Sequence, residues 1–222
     1  MTDRTATGAS GRRVPAAVRL YGAWLRLAGT VAPDAVERRI ARLFATPRRS
    51  VQTGEPRIPE ASGGSTALEV DGHRLAVWHW GTGPRVLLAH GWEGSAADMV
   101  PLARALLRSG FGIVAFDMPA HGRSTGRVTT LPAMARAIRA VADRMGPVHA
   151  VVGHSLGGTA SAVAMRDGLT VERATLIAPP PALPPFLERL TAALGLGHAR
   201  FEGALEKVRL WVGGDLSAFD AR

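Results

Sequence analysis

The spacing of apolar and polar residues differs between two parts of this chain. Near the amino terminus, apolar residues recur at every third or fourth position over residues 14–28, and again over residues 36–44 after Pro33. This spacing predicts two amphipathic helices. Their polar positions carry arginine, so the helices either pack on the domain or on another subunit, or lie on a membrane surface. Residues 45–66 are rich in proline and glycine, which is typical of a linker.

From residue 67 onward, short apolar runs alternate with helical repeats. Two alternating segments flank Asp71 and Gly72, a pair that predicts a hairpin turn. The apolar runs that follow are β-branched and lack polar alternation, so we expect strands buried on both faces. The sequence therefore predicts an α/β fold: a mostly parallel sheet with an N-terminal hairpin and flanking helices. The later strands are predicted at residues 86–90, 113–117, 148–153 and 174–178, and the helices at 98–109, 132–145 and 156–167.

Composition restricts the class of protein. A chain of 222 residues, 46% apolar and 20% charged, is typical of one globular domain with a short extension. It has no cysteine, which excludes disulfides, thiolate metal sites and a cysteine nucleophile. No uncharged run approaches the roughly 20 residues of a membrane span, and no cleavage pattern follows the first helix. We therefore expect a cytoplasmic protein.

The net charge of +9 comes almost entirely from arginine, since Lys207 is the single lysine. Such a charge can indicate nucleic-acid binding. Here the arginines are dispersed and no nucleic-acid-binding motif accompanies them, which argues against that partner. The chain also has neither metal-ligand spacing nor a nucleotide fingerprint, so no cofactor is expected.

The strongest local motif is Gly153-His154-Ser155-Leu156-Gly157, between an apolar strand and a helix that begins in small residues. A serine in so sharp a turn needs glycine two places before and after it, because side chains there would collide with the strand and helix. The turn projects the hydroxyl from the sheet and points the first helical N–H groups toward it. Taken alone, the motif also fits a phosphate-binding loop.

Two further strand ends give the motif a context. The strand at residues 86–89 ends in His90-Gly91-Trp92, and the next strand ends in a segment from Asp117 through His121 to Ser124. In order and spacing these segments resemble the α/β-hydrolase family, at its oxyanion loop, the loop after the next strand, and the nucleophile elbow. The resemblance covers residues 67–181.

The resemblance implies the chemistry of a serine esterase or lipase. Ser155 would attack an acyl carbon, and the backbone N–H groups of Trp92 and Leu156 would hold the oxyanion. A serine nucleophile argues against the branches of this fold that use aspartate. The remaining motif residues would have structural roles, and His154 would be directed away from the serine. These residues are Gly153, His154 and Gly157 in the elbow, His90 and Gly91 in the oxyanion loop, and Asp117 and His121 in the neighbouring loop.

In this family an acid and then a histidine follow the serine in chain order. After Ser155 the single histidine is His198, in a stretch between predicted helical segments. Residues 208–215 could form the next strand and end in the acid Asp215, but the helical pattern of residues 201–210 continues into them. We therefore expect the last strands, the acid and the histidine to be missing, as in a truncated chain. Residues 174–178 would then form an open sheet edge, which favours aggregation.

We accordingly divide the chain into a basic helical extension with a linker (1–60), a hydrolase core (61–181) and a cap-like helical segment (182–222). The apolar start of this cap favours an uncharged acyl substrate. The sequence predicts a serine hydrolase that forms an acyl-enzyme, with activity impaired because the base is missing. The alternative is a non-catalytic relative that binds a membrane or a partner through residues 14–44.

Overall fold

The computed structural model describes residues 14–49 and 55–212. They form seven α-helices, one 3-10 turn and a six-stranded sheet. In chain order the elements are α1 (Ala16–Val31), α2 (Pro33–Phe44), β1 (Gly63–Val70), β2 (His73–Trp80), β3 (Arg85–Ala89), the 3-10 turn (Ala96–Met99), α3 (Val100–Arg108), β4 (Gly112–Phe116), α4 (Leu131–Met145), β5 (Val148–His154), α5 (Leu156–Arg166), β6 (Arg173–Ile177), α6 (Pro184–Ala193) and α7 (His198–Val212).

The sheet has the strand order β1-β2-β4-β3-β5-β6. Strand β2 is antiparallel to both of its neighbours, whereas β3, β4, β5 and β6 run parallel. Alternate residues of the central strands enter two separate hydrophobic clusters, one with α4 and α5 and one with α3. Burial on both faces confirms the predicted α/β architecture and explains the continuous apolar runs in the sequence.

The hairpin forms as predicted, with both Asp71 and Gly72 at positive φ, as the tight turn between strands requires. The linker prediction for residues 45–66 is wrong at its end, because β1 already begins at Gly63. A side chain at Gly63 would come within 2.5 Å of the indole of Trp80. Glycine is therefore needed for this strand pairing, although in the sequence it suggested a loop.

Strand β6 lies at the edge of the sheet and, within the described part of the chain, pairs only with β5. Ala174, Thr175 and Ile177 are exposed there. This arrangement agrees with the open edge expected for residues 174–178. Aggregation through this edge stays a prediction.

The N-terminal and C-terminal helices share one hydrophobic cluster, apart from the clusters of the sheet. Leu25 of α1 and Ile40 of α2 are fully buried there against Leu187 of α6 and Leu205 of α7. The inward faces of the two predicted basic helices therefore pack within this chain. None of the described helices is long and apolar enough to span a membrane.

Helix α7 decides between two interpretations of the C-terminal residues. It is helical through Val212, so the interpretation of residues 208–215 as a strand is wrong for residues 208–212. His198 begins this helix instead of lying before it, and its exposed ring is 3.5 Å from the carboxylate of Glu202. Asp215 lies outside the described residues. The proposed division into three segments stays a prediction.

Candidate active site

Ser155 occupies a sharp turn between β5 and α5. Its backbone has φ 51° and ψ −126°, a conformation that costs a non-glycine residue on the order of 1–3 kcal/mol. The Ser155 N–H donates to the Ile177 carbonyl at 2.8 Å, and the Ser155 carbonyl accepts from the Gly158 N–H at 2.8 Å. The strained serine is thus fixed by β6 on one side and by the helix on the other.

The glycines on either side of the serine are required by close packing. A Cβ at Gly153 would come within 2.5 Å of the Cα of Gly158. A Cβ at Gly157 would overlap the carbonyl oxygens of Ala89 and His90 at the end of β3. The steric reason inferred from the sequence for these two glycines is therefore confirmed.

The loop after β3 lies directly against the serine. A Cβ placed on Gly91 would be 3.0 Å from the Cβ of Ser155 and 3.3 Å from Nδ1 of His154. Trp92 follows in the chain, and Leu156 is the first residue of α5, where a helix has no internal acceptor for its N–H. The fold therefore brings the predicted oxyanion segment next to the predicted nucleophile.

His90 braces this loop with both ring nitrogens. Nδ1–H donates to the Gly91 carbonyl at 2.7 Å, and Nε2 accepts from the Met118 N–H at 2.9 Å. Burial lowers the pKa of His90 to about 4, outweighing the Gly91 hydrogen bond and the Asp98 charge, which raise it. A neutral imidazole with both nitrogens engaged holds two loops together and has no site left to take a proton from the serine.

Asp117 and His121 support the same region from the loop after β4. The Asp117 carboxylate accepts from the N–H groups of Ala96 and Arg123, each at 2.7 Å, while burial raises its pKa. The His121 ring packs edge-on against Trp92 with centroids 5.2 Å apart, and its Nδ1–H donates to the Pro119 carbonyl. Burial lowers the pKa of His121 to about 4. These contacts agree with the expected structural roles.

One element of the site was missed by the sequence reasoning. Glu93, at φ 59°, carries a carboxylate that accepts from the Arg48 guanidinium at 2.8 and 2.9 Å. The neighbouring Arg49 donates to the carbonyls of Ser124 and Gly126, both at 2.8 Å. The segment after α2 therefore clamps two loops at the site. No local pattern indicates this contact, because its partners are far apart in the sequence.

A cavity of about 470 Å³ opens in front of Ser155, a size typical of small-molecule sites. His154 also lines it, and its direction away from the serine stays a prediction. Among the described residues, no group of three acidic or histidine side chains could hold a metal ion. The apolar part of the wall consists of Trp92, Met99, Pro101, Leu102 and Ile177, and the carboxylates of the lining are those of Glu93 and Asp98.

Sequence comparison finds similar proteins among lipases and haloperoxidases. The chain is 35% identical over 108 residues to the sn-1-specific diacylglycerol lipase ABHD11 of Xenopus laevis, an alignment that covers 46% of this chain and 35% of the relative. It is 32% identical over 144 residues to a non-heme haloperoxidase of Rhodococcus erythropolis, covering 62% of this chain and 52% of the relative. The chain thus spans about a third to a half of the length of these relatives.

A solved esterase of Pyrococcus furiosus has the same fold, with a TM-score of 0.59 at 20% identity over 79% of this chain and 71% of the esterase. The sequence profile of the family described as alpha/beta hydrolase fold matches residues 84–221, more than half of the chain. This chain therefore belongs to the α/β-hydrolase fold family.

Proposed function

We propose that the chain is a serine hydrolase that cleaves an uncharged carboxylic ester through an acyl-enzyme at Ser155. The supporting observation is the strained backbone of this residue, held at the cavity with Gly91 against its Cβ. Strain of this kind persists where the surrounding structure enforces it, and it is concentrated at functional sites. In this fold such a turn exposes the nucleophile.

In the proposed reaction, Oγ of Ser155 attacks the ester carbonyl carbon, and the N–H groups of Trp92 and Leu156 donate to the oxyanion. Each correctly aimed donor is worth about 10² to 10³ in rate. Collapse of the tetrahedral species releases the alcohol, which takes up a proton, and leaves the serine acylated. Water then attacks the acyl-enzyme, releasing the acid and restoring the hydroxyl.

Attack on the ester also requires a base that removes the serine proton. Two histidines line the cavity, and His90 has both nitrogens engaged. His154 is the immediate neighbour of Ser155, and its ring lies beside Gly91 in the oxyanion loop. We assign neither as the base, and the exposed His198 is not among the residues lining the cavity. Loss of the base typically costs about 10⁶ in turnover, so we expect this chain to act slowly.

The cavity wall favours an uncharged substrate. Its apolar side chains suit an alkyl or acyl chain, and the carboxylate of Glu93, which also lines it, is paired with Arg48. No arginine or lysine is among the described residues that line the cavity, so a negatively charged acyl group would have no cation to pair with there. A lipid or glycerol ester, as named for the Xenopus relative, fits this description.

A fluorophosphonate probe tests the nucleophile directly. We expect slow, stoichiometric labelling that is lost in Ser155→Ala, kept in Ser109→Ala at an exposed serine, and accelerated by added imidazole as an external base. p-Nitrophenyl butyrate should be cleaved faster than a p-nitrophenyl ester with a carboxylate on its acyl chain. A folded protein that stays unlabelled even with imidazole would favour the non-catalytic alternative.

A further inference from the structure

The outward face of α1 is apolar and largely exposed. Leu20, Trp24, Leu27 and Val31 are 73%, 57%, 72% and 88% exposed. Their spacing of four, three and four residues places them along one line of the helix. We call these four residues the α1 stripe.

Packing of α1 within the described chain does not account for the α1 stripe. The opposite face of α1, with Gly22, Leu25 and Gly29, is already buried against the other helices. A surface helix normally carries polar residues on its outer face. Here the positions beside the stripe are alanines, Ala16, Ala17 and Ala23, all of them exposed. A helix that is apolar on its solvent side marks an interaction surface.

Cations flank the α1 stripe on both sides. Arg19 and Arg26 are exposed and, at 100° per residue, lie along one flank, about a quarter to a third of a turn from the stripe. On the other flank Tyr21 stacks on Trp24 with ring centroids 5.8 Å apart, and its hydroxyl accepts from Nε of Arg39 at 2.8 Å.

None of these three arginines is neutralised by a carboxylate in the contacts that the structure describes. Arg26 donates to the carbonyls of Leu194 and Gly195, which leaves its charge in place, and Arg39 donates to a hydroxyl. Helix α1 itself contains no acidic residue. The surface therefore combines an apolar ridge, a tryptophan and uncompensated positive charge.

We propose that α1 docks on the surface of an anionic phospholipid membrane, with the α1 stripe inserted among the acyl chains and the arginines beside the headgroups. Helices that lie in a membrane interface combine these same features, and anionic lipid attracts cations near the surface by roughly 1 kcal/mol each. The aromatic pair Tyr21 and Trp24 suits the boundary between headgroups and hydrocarbon.

The same observations weigh against a second copy of the chain as the occupant. A stable interface buries about 800 Å² on each partner, more than four side chains on one helix can supply. Two stripes packed together would also bring Arg19 and Arg26 of both copies close, with no acidic residue of α1 to pair with them. An anionic lipid surface is larger than the stripe and carries negative charge, so neither the small area nor the unpaired arginines count against it. The proposal does not depend on Ser155 being a nucleophile.

Co-sedimentation of the full chain with vesicles tests the proposal. We expect binding to phosphatidylcholine vesicles with roughly 30% phosphatidylglycerol, and at least about tenfold weaker binding to pure phosphatidylcholine or in about 0.5 M NaCl. The double variant Leu20→Ser, Leu27→Ser should bind at least about tenfold more weakly. Leu210→Ser, at a leucine with 67% exposure on α7, should bind like the parent chain.

A charge variant tests the electrostatic part of the proposal. Arg19→Glu should lower binding to anionic vesicles about tenfold, whereas Arg144→Glu, at an exposed arginine of α4, should change it little. All changed positions are exposed, so melting temperatures should stay close to that of the parent. Equal vesicle binding by the double variant and the parent would overturn the proposal. So would light scattering that shows a dimer separated by that double variant, which would assign the stripe to a second copy.

Discussion

The guanidinium of Arg48 forms a two-pronged ion pair with the carboxylate of Glu93, with N···O distances of 2.8 and 2.9 Å, and the Arg48 backbone N–H donates to the same carboxylate at 3.1 Å. The hydrogen bond and charge of Arg48 lower the pKa of Glu93, and Glu93 raises the pKa of Arg48. The pair fastens the segment after α2 to the loop that carries Trp92.

Arg48→Ala should loosen this loop without unfolding the protein. The Arg48 side chain is 89% exposed, so its pair contributes at most about 1 kcal/mol to global stability. We expect backbone amides of residues 91–94 to exchange hydrogen up to about fivefold faster, measured by mass spectrometry. Arg136→Ala, which removes a surface pair with Asp71, is the control and should leave these amides unchanged. Unaltered exchange in Arg48→Ala would mean that the clamp does not order the loop.

The backbone strain at Ser155 can be measured as a difference between two variants. Glycine accepts positive φ without a steric penalty, so Ser155→Gly should be more stable than Ser155→Ala by about 1–2 kcal/mol in urea unfolding. Ser65, exposed on β1, is the matched control. There glycine should be less stable than alanine, by about 0.5–1 kcal/mol. The same order of stability at both positions would contradict a strained elbow.

Close packing of the elbow predicts a large effect at Gly157. Gly157→Ala places a methyl group against the carbonyl oxygens of Ala89 and His90, which should lower the free energy of unfolding by about 2–3 kcal/mol. A Cβ at Gly197 meets nothing within 4 Å, so Gly197→Ala should be neutral or slightly stabilising. Urea titrations of both variants give the comparison. A Gly157→Ala protein as stable as Gly197→Ala would show that the elbow and the end of β3 are not in contact.

Two buried histidines predict acid sensitivity. His90 and His121 have pKa values lowered by burial to about 4, from an ordinary value of 6.5 in the unfolded chain. As the pH falls below about 6.5, the unfolded chain binds protons that the folded protein does not, so stability decreases until about pH 4. We expect the free energy of unfolding to fall by about 2–5 kcal/mol across this window. The raised pKa of Asp117 acts in the opposite direction near the acidic end.

Urea unfolding at several pH values between 7.5 and 4 measures this loss. His121→Phe keeps an aromatic ring against Trp92 and removes one titrating group, so it should roughly halve the pH-dependent change. Ser109→Ala, at an exposed serine, leaves every titrating group in place and should reproduce the parent profile. An equally steep profile in His121→Phe would exclude His121 as a source of the acid sensitivity.

What the sequence determined by itself is local. Alternating apolar runs predicted the hairpin and the succession of strands and helices along the chain. They could do so because the spacing of apolar residues that distinguishes a strand from a helix involves only neighbouring residues. The glycines around Ser155 predicted the elbow for a similar reason, since the space at such a turn depends on a few adjacent positions. The three motifs at strand ends were assigned to one site by their resemblance to the α/β-hydrolase family, whose parallel strands present their carboxyl ends at one edge of the sheet.

Only the tertiary structure decided which distant residues meet. It paired Arg48 with Glu93, packed α1 and α2 on α6 and α7, and left the α1 stripe exposed. It also placed Gly63, which in the sequence suggested a loop, in a strand beside the indole of Trp80. Each of these contacts depends on how whole helices and strands pack together. The residues next to a given position in the sequence therefore do not indicate which distant residue it will contact.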